Sequence, residues 1–236
     1  RGARQQIETD RVELLSGVWR GRSIGSPIAM LVANRDYKIE RMEDLESPRP
    51  GHGDLAGAMK YLGSIRGILE RASARETAAR VAAGALARQV LDPLGMGVLG
   101  YVAAVGPVVM ASPPGDLAQH RQTRDRSELY SLDPQGDDAA KRLIHECQKQ
   151  GDTLGGVVEV RVEGVPFGLG THAQWNRKLD GRIAQAVMAV QAIKGVEIGL
   201  GFEAAGAAGA RCTIRSCTTR GARRRPCSAA TSTGWT

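Results

Sequence analysis

A chain of 236 residues that is 42% hydrophobic can bury one sizeable core or two small ones, and with aromatics at only 4% the core is built from small aliphatic side chains. No apolar run approaches the ~18 residues of a membrane span, and no signal peptide is expected, so no membrane partner is expected. The formal net charge of +7 points to nucleic acid, but six of the 32 basic residues (Arg211, Arg215, Arg220, Arg223, Arg224, Arg225) lie in 206–236, which holds no acid; residues 1–205 keep 26 basic against 25 acidic residues, and a nearly neutral body argues against a nucleic-acid partner.

In chain order, Arg1–Thr9 is polar, and Arg11–Leu15 and Ile28–Ala33 read as strands around a glycine-rich turn at Gly21–Ser26. Asn34–Glu46 is charged and reads as a loop. Pro50–Gly51 marks a tight turn that presents His52 between two glycines, flanked by Arg49 and Asp54. His52 is either an incidental loop histidine or a group aimed at a ligand. Arg49 and Lys60 suit an anionic substrate, or are solvated charge.

Arg71–Leu91 reads as one helix, opened by a capping box of Ser73 and Glu76 and striped with Ala74, Ala78, Val81, Ala82 and Ala85. Arg71 and Arg75 at its start oppose the helix dipole unless an anion lies between them, so the start reads as a phosphate site or as an Ala-rich core helix with exposed arginines. Gly97–Met110 reads as a buried strand and Ala111–Leu132 as polar and turn-rich. Asp137–Gln150 is a helix with Ala140, Leu143, Ile144 and Cys147 on one face and His145 on its surface. GDTLGG at Gly151–Gly156, a phosphate cradle or a plain turn, leads into Val157–Glu163, where Val158, Val160 and Val162 alternate with charges as in a half-buried strand. His172 follows the loop Val165–Thr171. A second small-residue helix, Leu179–Ile193, carries Ile183, Ala186, Val187 and Val190 and closes at Lys194–Gly195, before a short strand at Val196–Phe202. No interdomain linker is expected before Ala205.

Cysteines divide as the charge does: Cys147 stands in the body, and Cys212, Cys217 and Cys227 in the tail. A single body cysteine fits a reducing compartment, so a cytoplasmic location is expected. The tail cysteines lack a fourth ligand at zinc spacing, and no metal site is expected.

Arg49–Asp54 (RPGHGD), Ser73–Gly84 (SARETAARVAAG) and Gln191–Phe202 (QAIKGVEIGLGF) together resemble the chorismate synthase family, and Gly151–Val160 and Trp175–Val187 look like further segments of it. The resemblance runs in order over 1–205, with Gly53 where the family has alanine and Asn176 where it has aspartate. It implies an α/β (α+β) fold, a sandwich of antiparallel sheets around a central helical layer, assembled as a homotetramer. The implied reaction is a carbon–oxygen lyase step on a phosphate ester, turning 5-enolpyruvylshikimate 3-phosphate into chorismate with reduced FMN (FMNH2). By motif, His52 is the implied catalytic residue, protonating the reduced flavin, a task suited to a side chain type that changes charge near neutrality. Arg71, Ala72 and Ser73 fall on one flavin contact and Gln191 and Ala192 on another. Arg1 falls on a position linked to NADP, which implies NADPH as a flavin reductant. Arg49 and Arg75 are the expected contacts to substrate anions.

Residues 1–205 are therefore expected to be a family core incomplete at both ends: the chain opens at Arg1, without the family's Gly-Glu-Ser-His-Gly motif and its histidine. Residues 206–236 are expected to be a basic, cysteine-containing tail, disordered and out of frame. Shifted by one base, the codons of Gly206–Gly221 are compatible with RRRGSVHDPIVHHEG, a family-like continuation of GFEAA. On this reading the chain as written is inactive, neither retaining FMN nor forming chorismate. The alternatives are a structural or inactive remnant of such an enzyme, discriminated by flavin binding, and a basic nucleic-acid-binding protein, discriminated by whether binding survives deletion of 206–236. Resequencing is expected to show one nucleotide gained or lost near codon 206. An uninterrupted frame, with tail peptides detected by mass spectrometry, would refute this.

Overall fold

Short apolar runs punctuated by glycine turns build the first half of the chain. The computed structural model describes residues 10–35, 39–72 and 76–207. These fall into two compact units that divide between Val90 and Leu91, near the end of a continuous helix where no linker composition marks a boundary.

In the first unit β1 (Val12–Leu14) pairs antiparallel with β4 (Met30–Val32), placing Val12 opposite Val32. The intervening turn contains a small hairpin of its own, β2 (Val18–Trp19) against β3 (Arg22–Ser23). Helices α1 (Asp54–Tyr61) and α2 (Ile65–Arg71) follow as a helical hairpin. The Ser64 hydroxyl caps α2 by accepting from the Gly67 amide. Gly57 lies so close to Ile68 that a Cβ there would collide with it, so glycine lets the two helices approach.

The helix expected over Arg71–Leu91 is two elements. Arg71 is the last residue of α2, and α3 runs Glu76–Leu91. A cation in the last turn of a helix meets the negative end of its dipole, so Arg71 needs no anion to explain it. Its guanidinium lies 3.9 Å from Glu76. The expected cap Ser73, with Ala74 and Arg75, lies outside the described residues. Among the described residues of the small-residue stripe only Ala82 is buried, and Val81 is 71% exposed. Ala78, Ala79 and Ala82 line a cavity of about 240 Å³ with Met30, Val32 and Asn34.

The second unit is built on β5 (Gly97–Val105), the central strand of a three-stranded antiparallel sheet ordered β6–β5–β7. The apolar run expected as one strand turns back at Gly106–Pro107 into β6 (Val108–Val109). β7 (Gly156–Glu163) pairs along β5, with Val98 opposite Val162 and Val102 opposite Val158. Leu99 and Tyr101 point to one face, where they pack with Leu132, Ala103 and Leu117. Val158, Val160 and Val162 are 61%, 57% and 44% exposed, so the valine face, opposite the one that carries Leu99 and Tyr101, is uncovered; on the charged face of β7 only Arg161 is half-buried, so the strand is not the half-buried one expected.

The stretch expected as turn-rich forms α4 (Leu117–Arg126), opened by a capping box in which the Asp116 carboxylate and the Gln119 side chain each reach the other's backbone amide. Its guanidinium groups donate to the carbonyls at the edge of β5, Arg121 to Val98 at 3.3 Å and Arg124 to Gly100 at 3.2 Å. Helix α5 (Pro134–Lys149) begins earlier than expected, with Asp133 as cap and Pro134 in the first turn. Ala140 is fully buried and His145 exposed, as the spacing predicts. Helix α6 (Leu179–Met188) stops short of Ile193 and buries none of its residues, and the strand expected at Val196–Phe202 is instead irregular chain running into a 3-10 turn at Gly201–Gly206.

The loop between α4 and α5 hangs on one buried carboxylate. Asp137 accepts from the Ser127 and Ser131 hydroxyls, each at 2.5 Å. Ser127 in turn accepts from the amides of Leu129 and Ser131. Removing the acceptor takes a charged partner from both hydroxyls, leaving buried Ser131 with the Asp133 carbonyl at 3.2 Å and half-buried Ser127 to find another. Asp137→Ala is expected to cost roughly 2–4 kcal/mol, read as a lower urea midpoint at unchanged slope.

Candidate functional site

Proline fixes φ near the value that the second residue of a tight turn requires, and glycine tolerates the left-handed third position. Arg49–Pro50–Gly51–His52 uses both: Gly51 sits at φ 70° with open space around its Cα, and the His52 amide donates back to the Arg49 carbonyl at 3.4 Å. The His52 ring is exposed, with Nδ1 2.9 Å from the Pro50 carbonyl oxygen. A carbonyl only accepts, so Nδ1 carries the proton in that contact and Nε2 is the nitrogen left for exchange.

Two residues on, Asp54 opens α1 and is fully buried. Its carboxylate accepts three bonds from Arg49: the backbone amide at 3.1 Å and Nε at 2.9 Å on one oxygen, Nη2 at 3.0 Å on the other. The guanidinium's hydrogen bond holds the Asp54 carboxyl down at about 2, against the opposing pull of burial. Arg49 keeps a 43% exposed side chain whose Nη1 is outside the pair. Gly53, between His52 and Asp54, has a negative φ and nothing near a Cβ position, so the family's alanine would fit there as well.

An open cleft of about 500 Å³ adjoins this turn, lined by Gly53, Gly57, Tyr61, Ile68, Arg71 and Ala72. It brings two resemblance-assigned residues, Arg71 and Ala72, to the glycine beside His52. Arg71 is 83% exposed on the side chain, and the Lys60 ammonium lies 5.3 Å from the Tyr61 ring centroid. Sequence reasoning missed Gly57, Tyr61 and Ile68; the helical hairpin that gathers them is signalled only by Ser64 as a cap. Arg1, Ser73 and Arg75 lie outside the described residues.

Gln191 and Ala192 belong to the second unit, in a turn beyond α6 closed by the Ile193 amide on the Val190 carbonyl. Ala192 is held at φ 69°, a left-handed conformation in which a Cβ is strained. Among the described residues no three His, Cys, Asp or Glu side chains gather as a metal site, and no helix is long and apolar enough to cross a membrane.

The family model for chorismate synthase matches residues 1–221. The chain belongs to the chorismate synthase family. Chorismate synthase of Geotalea uraniireducens is 48% identical over 224 residues, covering 89% of this chain and 57% of that protein. That of Geotalea daltonii is 51% identical over 218 residues, covering 87% and 56%. A crystal structure of chorismate synthase superposes with a TM-score of 0.77 at 41% identity, covering 90% of this chain and 62% of that one. The mixed architecture of small antiparallel sheets with helices is thus the family's fold, and this chain spans under two thirds of the length of these relatives.

Because folding lowers the Asp54 carboxyl from 3.8 to about 2, the pair's contribution to stability is complete above the ordinary carboxylate range. It shrinks as pH falls through 3.8 and is gone below about 2. Urea unfolding followed on the first unit is expected to weaken across that window, and Asp54→Asn to flatten the dependence while lowering stability at neutral pH.

Proposed function

We propose that this chain carries the machinery of chorismate synthase: elimination of phosphate from 5-enolpyruvylshikimate 3-phosphate to give chorismate, with reduced FMN as cofactor and NADPH as the flavin's reductant. The observation that carries the reading is the cleft, which places Arg71 and Ala72 beside the His52 turn in a chain matched by the family over 1–221. Its residues suit a planar phosphorylated group: glycines with no Cβ, an aromatic and an aliphatic wall, and an exposed guanidinium for the phosphate.

Reduced FMN, when bound, supplies a transient electron that lets the carbon–oxygen bond to phosphate break with no net oxidation or reduction. Arg71 and Ala72, with Ser73, would hold it by motif at the cleft, and Gln191 and Ala192 are flavin contacts by motif alone. His52 moves a proton through Nε2, since Nδ1–H is held by the Pro50 carbonyl. Arg49 offers Nη1 to a substrate anion while Nε and Nη2 stay on Asp54. Arg75 is a second substrate contact and Arg1 a contact for NADPH, both by motif. The uncharged valine face of β5 and β7 supports a homotetramer, an assembly that would take such a surface out of water. The reading places the protein in the cytoplasm, with no nucleic-acid or membrane partner.

The test is a chimera in which residues 1–205 replace the aligned segment of the Geotalea uraniireducens protein, assayed anaerobically with chemically reduced FMN. It is expected to form chorismate, and failure of the folded chimera to do so would refute the reading. His52→Ala in that chimera is expected to fold, bind reduced FMN and lose at least about a hundredfold in kcat. A near-normal kcat with a much raised KM would assign His52 to binding alone.

A further inference from the structure

Among the described residues Asp54 is a fully buried carboxylate on a turn whose neighbours are exposed. A charge in such a place is retained only when its lone pairs are met, and here all three hydrogen bonds come from one residue, Arg49. Those bonds tie position 49 to position 54 through both the main chain and the guanidinium, and His52 lies inside the loop they close. The two bonds that orient His52 both end on atoms of the same loop, its amide on the Arg49 carbonyl and Nδ1–H on the Pro50 carbonyl. Neither Gly51 nor Gly53 has a side chain with which to brace the ring. The loop's shape therefore depends on the 49–54 closure together with the proline.

We propose that Asp54 is a positioning residue: by clamping Arg49 it fixes the turn that commits His52 Nδ1–H to the Pro50 carbonyl and leaves Nε2 as the exchanging nitrogen. The same clamp fixes Arg49 with Nη1 outside the pair. Asp54 touches no ligand in this account. That the clamp matters to turnover rests on the proton-transfer role given to His52 above; the geometric statement does not.

The ring tautomer is read directly by long-range proton–nitrogen correlation on the isotopically labelled full chain, at a pH where the ring is neutral. His145 and His172, both exposed and in the other unit, are internal controls. Asp54→Asn is expected to lower the Nδ1–H fraction at His52 by at least about twofold, leave the two controls unchanged, and let the Arg49 Nε proton exchange freely with solvent. A folded Asp54→Asn chain with a freed Arg49 and an unchanged His52 tautomer overturns the proposal. If that variant does not fold, Arg49→Lys keeps a cation beside the carboxylate but removes the two-point contact; the same tautomer shift supports the proposal, and its absence overturns it. Should His52→Ala leave the chimera's kcat intact, the catalytic reading fails while the tautomer result still stands.

Discussion

A carboxylate taken out of water has to be met by donors, and at Asp54 these are the amide, Nε and Nη2 of Arg49. Much of the first unit's local shape follows from that. Joining residues 49 and 54 closes a six-residue loop around the tight turn at Pro50–Gly51, with Pro50 at the position that suits its fixed φ and Gly51 left-handed at φ 70°. The loop delivers the chain to α1 at Asp54, an acid in the first turn where the helix dipole favours one. From there Gly57 lets α2 pack close, and that packing lays Arg71 and Ala72 beside Gly53. The cleft is thus a consequence of one ion pair and two glycines more than of any apolar core.

The second unit meets the same requirement on a strand. β5 carries the core residues Leu99 and Tyr101, so its unpaired carbonyls sit against packed structure and need donors. β7 satisfies one edge. On the other, Arg121 and Arg124 reach over from α4, and the Val102 amide donates to the Tyr130 carbonyl at 3.0 Å. Tyr101 shows the cost of burial on the same strand: its phenol is pushed up to about 12, with Arg161 stacked 5.4 Å from its ring centroid.

What was legible in the sequence was what is local. The Pro–Gly turn, His52 in it, the strands β1 and β4, and helix α5 are all set by neighbours a few residues apart. The Arg49–Asp54 pair is equally local, yet the flanking charges alone did not say whether Arg49 faced a ligand or Asp54. Helix α4 escaped because it has almost no apolar period: its buried side chain is His120, and its only signal was the Asp116–Gln119 cap. The glycines of VEIGLGF looked like a close-packed strand, but Gly199 and Gly201 take φ 64° and 51°, which ends a strand. Alternation in β7 separated two faces correctly and could not say which was covered, since burial depends on partners that a period does not encode.

The two candidate flavin segments share a property that changes how they should be judged. Ala72 and Ala192 each offer only a methyl group, so any polar contact they give a ligand comes from the main chain. Main-chain contacts are specified by backbone shape, and at Ala192 that shape is unusual. Ala72 caps α2 in an ordinary helix-end conformation, its amide already donating to the Ile68 carbonyl at 2.9 Å. Ala192 is held left-handed without being glycine, at a cost the fold has to offset elsewhere. Side-chain replacement at either position is therefore a weak probe of ligand contact. A glycine at 192 relieves the strain while keeping both polar groups, whereas a proline removes the N–H and forbids the φ. A contact made through the backbone survives the first change and not the second, and a contact made through packing of the methyl group loses affinity with both.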